Sequence, residues 1–532
     1  MEATQPAKEG TGTWRLLLAM GLASGITSVP NAAIVLAIPT LHKELDASTT
    51  ELQWTVTGYL LAYSALLIAA GRLADQFGRV RLVLAGTILY MGASVVGALS
   101  GSALMLIVSM IAVGVGAAVL TPGSLAIVTE EFRGSRRGVA VGIWGGATAL
   151  FSGIGPAIGG VFTTELSWRW ILWLNVIVGV VILLGLRKCR ESRDEEASKN
   201  VDVVGILTSV AALAMLTLAL NEAPTVWPWG SVQTIGALVL GALLLAAFVV
   251  VERRRREPLI DLGIFRRRNL TGAAIVVFVL DFAFGAALFF IPTYLEEIRN
   301  FSALQAGLLL LPASVTMMVA MPFGGRLYDK LGPRIPIVGG MIISGVGMLV
   351  LSRIGATTGY ANLWWPLALL GLGIGVALTP MNLCALNAVE QRHHGAVGGI
   401  IATLGGLGGT FGVALSGAVF ESLQIDNIVD NGKRAAITIS ESTASTLDGL
   451  LASAPSATKA LQTFPPDQQS TIKAIVNESF LSALDTTMVL SFGVLVVGIV
   501  LTLVLIRRQE PISDQPPSPT VARPIPAVAA RP

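Results

Sequence analysis

Cysteine and histidine are nearly missing from this chain. Cys189 and Cys384 stand far apart, and His42, His393 and His394 form no ligand spacing with them, so neither a disulfide framework nor a metal centre is expected. Charge is scarce as well: 13% of the residues are Asp, Glu, Lys or Arg, against roughly 25% in soluble domains. No Gly-x-x-x-x-Gly-Lys-Ser/Thr loop occurs, which argues against a nucleotide-driven pump, and no nucleophile–base arrangement argues for an enzyme. A net charge of +3 gives no nucleic-acid footprint.

What is abundant is apolar sequence. The chain is 53% hydrophobic with a mean hydropathy of +0.72, which reads as an integral membrane protein whose first partner is the lipid bilayer. Apolar runs of about 20 residues, the length that crosses a bilayer, centre near 25, 62, 90, 115, 150, 178, 212, 242, 281, 315, 344, 376, 409 and 494. The expected fold is therefore all-α, with fourteen transmembrane helices. The first run, Trp14 to Pro39, exceeds the apolar core of a signal peptide and is expected to be retained.

Basic residues test this count independently, because cytoplasmic loops are enriched in Lys and Arg. They cluster after the even-numbered spans: Arg72/Arg79/Arg81, Arg133/Arg136/Arg137, Arg187 to Lys199, Arg253 to Arg268, Arg326/Lys330/Arg334 and Arg392. Both termini are then expected in the cytoplasm of a plasma (inner) membrane protein. Residues 421–480, rich in Ser, Thr and Asp, are expected to form an extracytoplasmic loop. The proline-rich end of the 507–532 tail is expected to be disordered.

One stretch is stated twice. GRLADQFGRVR at residues 71–81 returns as GRLYDKLGPR from residue 325, so Gly71, Arg72, Asp75 and Gly78 recur as Gly325, Arg326, Asp329 and Gly332. Leu120-Thr121-Pro122 likewise returns as Leu378-Thr379-Pro380. The chain thus divides into a tail (1–13), a six-helix half (14–187), a loop (188–202), two inserted helices (203–252), a basic loop (253–268) and a second half (269–420), completed by helix 14 (481–506) beyond the 421–480 segment. Parallel repeats of this kind characterise transporters whose halves rock about a site at mid-membrane.

Together the two hinges, the Gly155-Pro156-Ala157-Ile158-Gly159-Gly160 run, the Trp168-Arg169-Trp170 turn with Asn175 and the two inserted helices resemble the fourteen-helix drug:proton antiporters of the major facilitator superfamily, the EmrB/QacA type. The resemblance implies the major facilitator fold. It also implies antiport of small molecules driven by the proton gradient, with no bound cofactor. Gly71, Arg72, Asp75, Gly78, Arg79 and Arg81, with Gly325, Arg326, Asp329, Gly332 and Arg334, are read as a gating hinge: glycines allow close approach and positive φ, and Asp75 can accept from a neighbouring helix end or pair with Arg79. Gly155, Pro156, Gly159 and Gly160 form the antiporter motif, which strips side chains from one helix face. The chain departs from the family at three places: Phe151 stands where a further glycine precedes the motif, Pro30 where the first span carries an acid, and Met110 where the fourth carries an arginine.

The acid this chain does carry is Asp281, near the centre of span 9. A charge there costs about 2.5–3.5 kcal/mol on insertion scales, which makes a purposeless aspartate an expensive one. Span 9 is the repeat mate of span 1, and Asp281 falls close to the place matching the absent acid. It is the candidate for proton or cationic-substrate binding; the alternative is a structural role, in which it stays protonated or hydrogen-bonds a neighbouring helix. Gln53, Trp54, Tyr59, Tyr63, Trp144, Phe151, Asn175, Asn382 and Asn387 are candidates for the substrate cavity, although Trp54, Trp168 and Trp170 also suit membrane-interface anchors. The sequence reads as a monomeric exporter of amphipathic small molecules. Its alternatives are an exporter of one endogenous metabolite or lipid-like compound and a non-transporting receptor of the same fold.

Overall fold

In a computed structural model, residues 11–132, 134–187, 189, 191, 202–222, 227, 229–255, 258–451 and 455–507 are described. Arg133, Arg508, the proline-rich tail and most of the loop running to Lys199 lie outside the described residues. Every regular element among those described is helical. The first half comprises α1 (Thr11–Ile26), α2 (Val29–Leu45), α3 (Thr49–Phe77), α4 (Arg79–Ala98), α5 (Ala103–Glu131), α6 (Ser135–Val161) and α7 (Arg169–Leu186). The insert is α8 (Val203–Glu222) and α9 (Val232–Arg254). The second half runs through α10 (Arg268–Thr293), α11 (Ala303–Leu309), α12 (Leu311–Leu331), α13 (Arg334–Leu351), α14 (Trp364–Asn387), α15 (His394–Arg434), α16 (Glu441–Asp448), α17 (Pro455–Gln462) and α18 (Pro466–Leu505).

Among the described residues, thirteen candidate spans are long and apolar enough to cross a membrane. The fourteenth crossing, the first in the chain, is α1 and α2 in tandem. Pro30 explains the break: it has no N–H to offer the Ile26 carbonyl one turn earlier. That carbonyl accepts instead from the Tyr90 hydroxyl at 3.1 Å, and the next one, of Thr27, accepts from the Tyr59 hydroxyl. Tyr59, expected in the substrate cavity, is 2% exposed and serves this repair.

Packing repeats between the halves. In the first, α3 and α4 pack on α5, and α4 on α7; in the second, α12 and α13 pack on α14, and α13 on α18. The halves meet through α6 against α12 and α3 against α15. The inserted pair docks on α3 through polar contacts: Thr57 Oγ1 donates to Glu222 at 3.2 Å and Ser64 lies 3.2 Å from Thr217.

The 421–480 segment differs from expectation. It is folded, not an open loop: α15 continues through 41 residues and α18 begins well before its apolar stretch. These extensions, with α16 and α17, enclose their own apolar core of Ile428, Leu447, Leu461, Ile472 and Val476. A polar composition concealed short amphipathic helices, each burying one stripe.

Candidate functional site

Between the halves lies a cavity of about 390 Å³. The first half lines it from α1, α3, α5 and α6, and the second from α10, α12, α14 and α15. Its wall is mostly apolar, with Trp144, Phe284, Met317, Met321 and Met381 contributing large, polarisable surfaces. Four of its hydroxyls are engaged in pairs: Ser24 Oγ accepts from Thr148 at 2.8 Å, and the Tyr63 hydroxyl lies 3.1 Å from Thr121 Oγ1. Trp144 Nε1 donates to Ser124 Oγ at 3.0 Å, which fixes the indole against the cavity.

Asp281 is the single charged side chain among the described lining residues. No described residue offers it a hydrogen bond or an ion pair, so the structural alternative of a bond to a neighbouring helix is not realised. Gly405 and Gly409 of α15 face it with no side chain, leaving the carboxylate open to the cavity.

Beyond the cavity, the first hinge forms a latch between the halves. Gly78 ends α3 at φ 110°, a region that favours glycine. Asp75 caps α15: its carboxylate accepts from the N–H groups of Gly395 at 3.1 Å and Ala396 at 2.9 Å, where the exposed amides and the helix dipole attract an anion. Arg79 pairs with Asp75 at 2.9 Å and Glu130 at 2.8 Å, and also donates to the Gln391 carbonyl. The backbones approach so closely that a β-carbon on Gly71 would collide with the Gly395 carbonyl. Arg72 is half-buried nearby, and Arg81 lies outside, 72% exposed and 3.7 Å from Glu191.

The second hinge repeats the backbone but not the charges. Gly332 ends α12 at φ 71°, and Gly325 abuts Gly138 of α6. Asp329 caps nothing among the described residues, and Pro333 stands where the first hinge has Arg79. Asn387 bridges here instead, accepting from Arg137 at 2.9 Å and donating to the Tyr328 hydroxyl at 2.7 Å.

Of the substrate-cavity candidates, Tyr63, Trp144 and Asn382 line the cavity with Asp281, and the others lie elsewhere. Gln53 and Trp54 sit at the start of α3, with Trp54 42% exposed. Asn175 is buried and donates to Ser94 Oγ at 3.1 Å, while Asn387 belongs to the second hinge. Phe151 covers Gly25 of α1. Trp168 is fully buried and donates to Glu44 at 3.0 Å, so it is no interface anchor. The antiporter motif packs on α2: a β-carbon on Gly159 would lie 2.6 Å from the Ala33 Cα. Sequence reading missed Ser24, Thr148 and the methionines, although i, i+4 spacing from Trp144 to Thr148, and from Met317 to Met321, marks one helix face.

Two packed repeats around a shared cavity, latched beneath it by glycine hinges, define a secondary transporter of the all-α membrane class. The Major Facilitator Superfamily model matches residues 17–413, and the chain belongs to that superfamily. It is 29% identical over 507 residues to the tetracenomycin C resistance and export protein of Streptomyces glaucescens, covering 94% of this chain and 93% of that one. It is 27% identical over 418 residues to the multidrug transporter protein MdtP of Bacillus subtilis, covering 78% and 77%. The crystal structure of the human organic anion transporter MFSD10 shares the fold, with a TM-score of 0.57, 15% identity and coverage of 92% of this chain and all of that one.

Proposed function

We propose that this protein exports hydrophobic or amphipathic small molecules across a bacterial-type plasma membrane by proton antiport and alternating access. The observation that carries the reading is Asp281: an unpaired carboxyl facing a largely apolar cavity between the two halves. A carboxyl can hold either a proton or a cationic substrate, so protonation and substrate binding compete for one group. The aromatic and methionine wall suits neutral or singly cationic substrates, and relatives named for resistance and export support the outward direction. The hinges then face the cytoplasm, as the basic loops indicate. The protein is taken to work as a monomer, with the proton gradient as its energy source and no cofactor.

Everted vesicles loaded with a monocationic aromatic dye test this. Energised vesicles should accumulate dye, an uncoupler should abolish accumulation, and Asp281→Asn should abolish it likewise. Uncoupler-resistant accumulation, or intact proton-driven uptake in the variant, rejects the coupling role. A relative named for a single antibiotic favours a dedicated exporter as the second reading; a broad dye panel in the same vesicles separates one substrate from many.

A further inference from the structure

The two hinges share their glycines and their first arginine, Arg72 and Arg326, but not the placing of the arginine that follows the second glycine. Arg79 follows Gly78 directly and turns inward, 2% exposed, onto Asp75 and Glu130. In the second hinge Pro333 holds that place, and arginine comes one residue later as Arg334, the first residue of α13. One residue turns a helix position by about 100°. The guanidinium consequently reaches across to α18, where it donates to the Leu503 carbonyl at 2.7 Å.

Beside it, a groove of about 580 Å³ runs between α13 and α18, lined by Arg334, Ile335, Val338, Gly339, Ile342 and Leu503. Ile335, Ile342 and Leu503 are 44%, 51% and 42% exposed, which in a membrane-spanning bundle means they face lipid. From Arg334 to Ile342 the groove follows α13 for about 12 Å, enough for the upper part of an acyl chain. Its charged end is built for an anion. Arg334 has spare donors beyond the one given to Leu503, and the amides of Arg334 and Ile335, the two that α13 offers before Pro336, lie at the positive end of the helix dipole. Arg507, exposed one turn beyond Leu503, adds a second positive charge at the same end of α18.

The geometry points to a binding site for an anionic phospholipid, its phosphate on Arg334 at headgroup level in the leaflet beside the hinges and one acyl chain in the α13–α18 groove. Basic pockets at helix ends recognise such headgroups, whereas a choline headgroup would bring its own cation towards Arg334, Arg507 and the helix terminus. This site is separate from the central cavity and does not depend on what the protein exports.

The full chain, purified in mild detergent, tests this by thermal unfolding with phosphatidylglycerol, phosphatidylcholine of the same chains, or inorganic phosphate. Phosphatidylglycerol should raise the midpoint saturably, and the other two should not. Arg334→Gln should lose the shift, and so should Gly339→Phe, which fills the groove where a β-carbon meets nothing within 4 Å. Arg187→Gln, which removes an exposed positive charge elsewhere, should keep it. Equal shifts from both lipids would make the groove ordinary annular contact. A shift reproduced by inorganic phosphate would make it a free-anion site, and either result, or a full shift in both variants, overturns the proposal.

Discussion

A β-carbon on Gly405 would stand 2.5 Å from Asp281 Oδ2, so α15 comes this near the carboxylate only because residue 405 has no side chain. Gly405→Ala should therefore displace Asp281 and impair transport without removing the acid. Proton-driven dye uptake is expected to fall at least tenfold in Gly405→Ala and to vanish in Asp281→Asn, while both variants remain monodisperse in detergent.

The hinges predict unequal consequences for equivalent residues. Asp75 and Arg79 are 0% and 2% exposed, and breaking a buried pair costs about 3–5 kcal/mol. Asp75→Ala should destabilise the latched state by that order, exposing cysteines placed at the α3–α15 contact to thiol reagents. Asp329→Ala, which removes no described partner, should stay within about 0.5 kcal/mol. Equal labelling in the two variants would show that the latch is symmetric after all.

Trp144 presents its ring to the cavity and its Nε1 to Ser124. Trp144→Phe keeps the aromatic wall and loses one hydrogen bond, about 0.5–1.5 kcal/mol, so dye affinity should drop less than about tenfold. Trp144→Ala removes the wall, and resistance to planar aromatic compounds should disappear while Trp144→Phe retains it. Minimum inhibitory concentrations in an expressing host provide the comparison.

The folded 421–480 segment, a cap built on the extensions of α15 and α18, carries a pH dependence of its own. Burial first, and then the Glu421 carboxylate, push the Asp448 carboxyl up from its ordinary 3.8 to about 6. An acid whose folded value is raised stabilises the fold only while neutral. Cap stability should be greatest below about pH 4, decline to about pH 6 and level off above. Asp448→Asn should gain up to about 3 kcal/mol at pH 7.5, and little at pH 4, by hydrogen exchange of α16 amides referenced to the unfolded rate at each pH.

The spans and the repeat were legible because their signals are local: an apolar run of fixed length, and a glycine turn stated twice. Asp281 was legible for the same reason, as a charge in the middle of such a run. Roles that depend on a partner across the fold were not. Tyr59 and Asn387 have the composition of cavity residues, yet one repairs the backbone gap left by Pro30 and the other ties Arg137 to Tyr328. Nothing within α3 or α14 announces those partners. The cap was hidden because its helices are short and their apolar stripe is narrow, so composition dominated the reading.

Helix α15 touches every part of this account: its first turn receives Asp75, its middle faces Asp281, and its far end enters the cap. At 41 residues and a rise of 1.5 Å each it is about 60 Å long, twice the hydrocarbon thickness. A helix of that length that tilted about a point inside the membrane would act as a lever. Tilting it by about 10° would swing the outer tip some 5 Å by the same length estimate. A fluorophore or antibody fragment on the cap is expected to read out, or arrest, such a tilt of α15.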